Sequence, residues 1–351
     1  MQCSVSVAML NSHDVNLNLS YLAITRAGTI QCGNIMKKNT ANARHFLRNK
    51  YALPLLLLPG ILLPAFASAA ASQTRDYVGD NVFTKGIEGP AVDKDGNLYA
   101  VNIGEEGTIG IVSGKNEAKL FVKLPAGSTG NGIRFGPNGA MYVADYTGHN
   151  VLRIDTKTRE TTVYAHDHKL NQPNDIAISK AGLIYASDPN WKDQTGRIWK
   201  IDLQGNAKIL EDKMGTTNGI EVSADEKYLY VNESVQRKVW KYDIDSITGD
   251  VSNKRLLIEF PYFGMDGMRC DTKGNLYIAR YGAGEVAVVS PEGKLLKVIK
   301  LKGRDPTNIA FGGEDGKTVF VTLQDRGAIE YFKATESGRE WVLTQAVATI
   351  R

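Results

Sequence analysis

From residue 75 onward, apolar and polar residues alternate in short runs, with β-branched and aromatic side chains filling the apolar places. Alternation of period two, broken by turns every 8–12 residues or so, predicts strands and not helices. The pattern also repeats. Six segments open on a polar residue and continue as an apolar run: Glu88-Gly-Pro-Ala-Val-Asp, Asn131-Gly-Ile-Arg-Phe-Gly, Asn174-Asp-Ile-Ala-Ile-Ser, Asn218-Gly-Ile-Glu-Val-Ser, Asp266-Gly-Met-Arg-Cys-Asp and Thr307-Asn-Ile-Ala-Phe-Gly. Their first residues, called anchors below, are spaced 43, 43, 44, 48 and 41 apart. Each copy passes through a polar turn into a second apolar segment, such as Leu98-Tyr-Ala-Val or Leu276-Tyr-Ile-Ala. A third follows, such as Val239-Trp-Lys-Tyr-Asp, and in five copies a fourth, such as Lys119-Leu-Phe-Val-Lys. Four strands in a unit of about 40–50 residues make a propeller blade. The expected fold is all-β: a six-bladed β-propeller with four antiparallel strands per blade.

The sixth unit stops after Ile329-Glu-Tyr-Phe-Lys, and Asp80-Asn-Val-Phe-Thr-Lys lies just ahead of the first anchor. This N-terminal segment is expected to complete blade six and leave no open edge. Trp341–Arg351 reads as a short appended strand or tail.

Charge is uneven along the chain. Of 42 Lys and Arg and 38 Asp and Glu, residues 1–71 hold six basic residues and one acid, Asp14, so residues 72–351 are close to neutral. No basic face for nucleic acid is implied. The basic residues precede an apolar run, Tyr51 to Ala67, followed by small residues that fit an A-x-A cleavage site at Ala67-Ser-Ala or Ala69-Ala-Ala. A membrane anchor is the alternative, but three prolines and the alanine-rich exit favour a cleaved signal peptide. The expected organisation is a leader over 1–71, with translation starting at Met36, and one propeller domain over 72–351. It implies a periplasmic or secreted monomer with no membrane contact after cleavage. Cys3 and Cys32 fall in the leader, which leaves Cys270 as a small buried hydrophobe with no disulfide partner.

In a propeller the first strand of each blade lines the central channel, so the six anchors converge on one mouth. All six end in oxygen, and none is Cys, His or Lys. Such a ring suits a hard divalent cation, calcium before magnesium. Asn-Gly and Asp-Gly are also common turn dipeptides, and Asn131 and Thr307 read equally well as loop-shaping residues. The loops after the second strands bring Asn102, Asp145, Asp188, Asn232, Arg280 and Thr322 to the same mouth. Asp188, Trp191 and Arg280 are the strongest candidates there for a pocket wall.

Residues 76–340 resemble the senescence marker protein/gluconolactonase (regucalcin-like) family, with diisopropyl fluorophosphatase and the paraoxonases as more distant relatives. The resemblance is carried by Glu88-Gly-Pro, Pro173-Asn-Asp, Thr217-Asn-Gly and Asp266-Gly-Met. It implies that Glu88, Asn174, Asn218 and Asp266 hold a catalytic divalent metal, usually calcium. It also implies that Asp266 is the base or nucleophile, and it leaves Asn131 and Thr307 either behind the ligands or facing substrate. Gln172 stands where some sugar-lactone members carry Arg, which puts gluconolactone itself in doubt. The expected substrate contacts are Asn131, Gln172, Asp188, Trp191 and Arg280. His149, His166 and His168 read as surface residues, so a paraoxonase-type histidine dyad is not expected. The implied function is a calcium-dependent hydrolase of lactones or related esters. A phosphotriesterase, a strictosidine-synthase-like enzyme or a non-catalytic binding propeller are the alternatives.

Overall fold

A computed structural model describes residues 74–349; the leader expected over 1–71 lies outside them. Twenty-four strands form six four-stranded antiparallel sheets among the described residues. Five sheets are consecutive in the chain. The innermost strands are Ala91–Val92, Gly130–Phe135, Ile176–Ile178, Thr217–Val222, Met268–Cys270 and Pro306–Gly312.

Both faces of every blade are covered, which explains second strands that are apolar at successive positions. In Leu98–Val101, Tyr99 and Val101 pack with Phe135 and Val143 of blade two, while Leu98 and Ala100 pack with Phe320 of blade six. Six apolar clusters arise in this way, one between each neighbouring pair of blades. Cys270 is buried in the cluster between blades four and five.

The ring is closed by an N-terminal strand, but not by the segment expected. Arg75–Val78 pairs antiparallel with the blade-six strand Ala328–Lys333, setting Asp76 opposite Glu330. Asp80–Lys85 instead crosses to blade one, where Phe83 bridges Ile103. The turn between the two places Asn81 at φ 61°, and a strand cannot run through it. Tyr77 seats the closing strand against the rings of Phe320 and Tyr331. Arg326 ties it down electrostatically, reaching Asp76, Asp80 and Glu330 at 2.8 Å each. Arg326→Ala should therefore destabilise the protein by about 3 kcal/mol, because the fully buried Glu330 loses its cation. Urea unfolding measures this, and a loss below about 1 kcal/mol would mean that strand pairing alone holds the ring.

The C-terminal segment also departs from expectation. Arg339–Thr349 is an α-helix, not a strand or tail. Blade six has no free edge for another strand, since Arg75–Val78 already occupies it. Trp341 packs against the cluster between blades five and six, and Arg339 donates to the Ile178 carbonyl at the end of the blade-three inner strand. The helix thus sits at the channel mouth opposite the anchors. Among the described residues no helix is long and apolar enough to cross a membrane.

Candidate functional site

All six anchors border a cavity of about 470 Å³ at their end of the channel. Glycine follows four of them, and the reason is mostly close packing. A Cβ on Gly219 would press on the Asp266 carbonyl, and one on Gly267 would collide with the Asn308 side chain. Only Gly89 of the four has a positive φ, 56°, so turn formation accounts for just one of these dipeptides. The other two copies carry Asp175 and Asn308 in the same place, and the neighbouring glycines make room for them.

The ring is poor in protein donors. Glu88 accepts from its neighbour Gly89 N–H at 2.8 Å. Oδ1 of Asn131, Asn218 and Asp266 are enclosed with no hydrogen-bond partner among the described residues. Asp266 as a residue is half-buried, but that oxygen is shut off from water. Burial pushes the Glu88 carboxyl up to about 7, against the Gly89 N–H and with help from the charge of Asp175. Asp266 is lifted well above the usual carboxylate range, first by burial and then by the charge of Glu88. Two such carboxyls, flanked by inward-facing amide oxygens, resist joint ionisation unless a cation joins them.

The residues ending the second strands act as clamps. Each holds the loop or anchor at the start of its own blade. Asn102 donates to the Gly86 carbonyl at 2.7 Å, and Asp145 accepts from Ser128 at 2.8 Å. Glu233 accepts from Gly215 N–H at 2.8 Å, and Thr322 Oγ1 meets Thr307 Oγ1 at 2.7 Å. Asp188 accepts from the backbone N–H groups of Asn171 and Gln172 and from the Trp199 indole. Arg280 stacks on the Phe260 ring and donates to the Tyr262 carbonyl. Asp188, Gln172 and Arg280, expected to touch substrate, do not border the cavity. The Asp188 carboxylate holds the loop that leads into Asn174, and Arg280 Nη2 holds the one that leads into Asp266. His149, His166 and His168 are exposed and lie away from it.

The wall comes from the turn just beyond each clamp, one residue per blade: Glu106, Tyr146, Trp191, Ser234, Tyr281 and Gln324. Trp191 and Asn131 are thus where the sequence placed them. Glu106, Tyr146, Ser234 and Gln324 had no distinguishing mark beyond position, one to four residues after a clamp. Among the described residues no Lys, Arg or His borders the cavity.

The profile of the SMP-30/gluconolactonase/LRE-like region matches residues 87–325, which span every anchor. The chain belongs to this family. A gluconolactonase from Zymomonas mobilis is 27% identical over 270 residues, covering 67% of this chain and 75% of that protein. Pentonolactonase XacC from Haloferax volcanii is 30% identical over 151 residues, covering 42% of this chain and 52% of that protein. For most of the curated relatives the match thus spans about half their length. The solved structure of a calcium-binding protein, regucalcin, from Agrobacterium tumefaciens superposes with a TM-score of 0.67, at 21% identity over 77% of this chain and 97% of the other. Neither the closing strand nor the C-terminal helix falls within the family match. The lactonase relatives support a hydrolase role.

Proposed function

We propose that the protein hydrolyses lactones with a divalent cation, calcium by preference, held by Glu88, Asn174, Asn218 and Asp266. The observation that carries this reading is the set of enclosed, unpartnered oxygens of Asn218 and Asp266 beside the Glu88 carboxyl. The donors are hard oxygens only, and among the described residues no group of three or more His, Cys, Asp or Glu is arranged to hold a metal ion without amide donors. That composition suits calcium better than zinc. When bound, such a cation supplies Lewis-acid polarisation of an ester carbonyl.

The side chains supply the rest. Asp266 Oδ1 has no protein donor, so once a cation keeps the carboxyl ionised it can take a proton from an attacking water. The clamps hold the anchors in place, so little reorganisation is needed when charge develops on the substrate. Trp191, Tyr146 and Tyr281 offer flat apolar faces to a lactone ring, while Asn131 and Gln324 offer hydrogen bonds to its hydroxyls.

With Glu106 on the wall and, among the described residues, no Lys, Arg or His lining it, the wall disfavours an anionic group on the substrate. Uncharged sugar lactones should be hydrolysed with kcat/KM at least about tenfold above their 6-phosphorylated counterparts, and Glu106→Gln should narrow that gap. Purified protein assayed against both, with and without chelator, tests the reading. Chelator-resistant turnover, or a preference for the phosphorylated lactone, would overturn it.

A further inference from the structure

Below the anchors the channel is filled by charge. Arg134 and Arg269 project inward from the inner strands of blades two and five, three residues after their anchors, and both are fully buried. Between them sits the Asp175 carboxylate, 3.0 Å from Arg134 Nη1 and 3.1 Å from Arg269 Nη1. A second carboxylate closes the circuit from below: Glu340, in the first turn of the C-terminal helix, lies 2.8 Å from Arg134 Nε and 3.3 Å from Arg269 Nε. The result is a closed tetrad of alternating sign. Beside it Glu221 lies 3.4 Å from Arg339 Nη1 and 4.0 Å from Arg134 Nη2, and Arg339 is paired with Glu226 as well. Three members of the tetrad belong to the propeller wall. The fourth arrives on the helix.

We propose that Glu340 is a positioning residue for the anchor ring: it neutralises the arginine pair beneath the ring and thereby sets the affinity of the ring for a divalent cation. Without its charge, Arg134 and Arg269 would keep Asp175 as their one close carboxylate, with Glu221 4.0 Å from Arg134 and shared with Arg339, so the low-dielectric channel under the cation site becomes more positive by one unit. Asp175 is the link. It follows Asn174 in sequence, receives a hydrogen bond from Asn308 at 3.4 Å, and its charge reaches both Glu88 and Asp266. With both arginines and Asn308 on Asp175, that carboxylate is committed to the channel, and only Glu88 and Asp266 bring charge to the ring.

The inference rests on the ring holding a cation, and the test separates the two. Calcium binding to chelator-treated full-length protein is measured by calorimetry, with circular dichroism confirming the fold of each variant. Glu340→Gln should weaken calcium binding by about tenfold, the scale of one unit charge acting on a divalent ion at an effective dielectric of ~20. Glu340→Asp should stay within about twofold of the parent. Arg269→Met, which tips the balance to negative, should bind more tightly than the parent, and Glu340→Gln with Arg269→Met should return to it. A merely structural brace predicts the reverse for the last two: the single arginine variant weaker and the double variant weakest. Equal binding by the parent and Glu340→Gln, or that reversed order, overturns this inference alone. No divalent-cation binding by the parent overturns the ring reading and this inference with it.

Discussion

Asp266→Asn is expected to cut kcat by about 10²–10⁴-fold and to stay slow when calcium saturates the site. The substitution keeps the size of the side chain and one oxygen donor. It removes the negative charge and the ability to accept a proton. Asn218→Ala makes the instructive contrast, because it deletes a neutral carbonyl donor whose oxygen has no protein partner. That variant should bind calcium more weakly and recover part of its rate as calcium rises. The two patterns separate a group that reacts from a group that holds. Turnover measured across a calcium titration decides between them, and near-parental kcat for Asp266→Asn at saturating calcium would reduce Asp266 to a ligand.

The second large effect concerns metal removal and its pH dependence. In the metal-free protein Glu88 keeps its proton up to about pH 7, whereas the unfolded chain releases it near 4.5. Between those values the folded state binds more protons than the unfolded state, so stability falls as pH rises. The contribution is fully present below the unfolded value and is gone once pH passes about 7. Its size is on the order of 3 kcal/mol, and Asp266 adds in the same direction. Calcium replaces the proton as partner of the two carboxylates, so saturating calcium should flatten this slope. At a hundredfold excess over Kd it should also stabilise the fold by about 3 kcal/mol. Part of the slope will persist with calcium, because burial pushes Glu221 up to about 7 as well, and its partner is Arg339, not the ring. Thermal melts between pH 5 and 8, with chelator and with calcium, measure the difference. Identical slopes in the two conditions would show that no cation enters the ring.

The anchor ring was legible because its signal is local and repeated. Each anchor begins an innermost strand, and strand starts follow from alternation and turn residues within ten positions of each other. Asp188 and Arg280 were misplaced for a related reason. Their distance from the anchors marked the right end of the blade, but not whether the side chain turned toward the cavity or back across its own hairpin. Both turn back, Asp188 to two backbone N–H groups and Arg280 to the Tyr262 carbonyl. The wall residues one to four positions further on carry the pocket instead.

The sequence by itself determined the all-β class, the six blades and the residues that crown the channel, since period-two alternation buries both faces of a blade only between neighbouring blades. It did not determine how the ring closes or how the far mouth is stopped. Arg75–Val78 and Asp80–Lys85 are both short and strand-like, and the choice fell to the turn at Asn81 and to Arg326, some 250 positions away. Helix formed at Arg339–Thr349 because the last sheet edge was already taken. Arg134 and Arg269 were visible as charges inside apolar strands, yet their partners Asp175 and Glu340 are remote in the chain. A buried charge announces that it must be paired, but only folding in three dimensions decides which distant carboxylate reaches it.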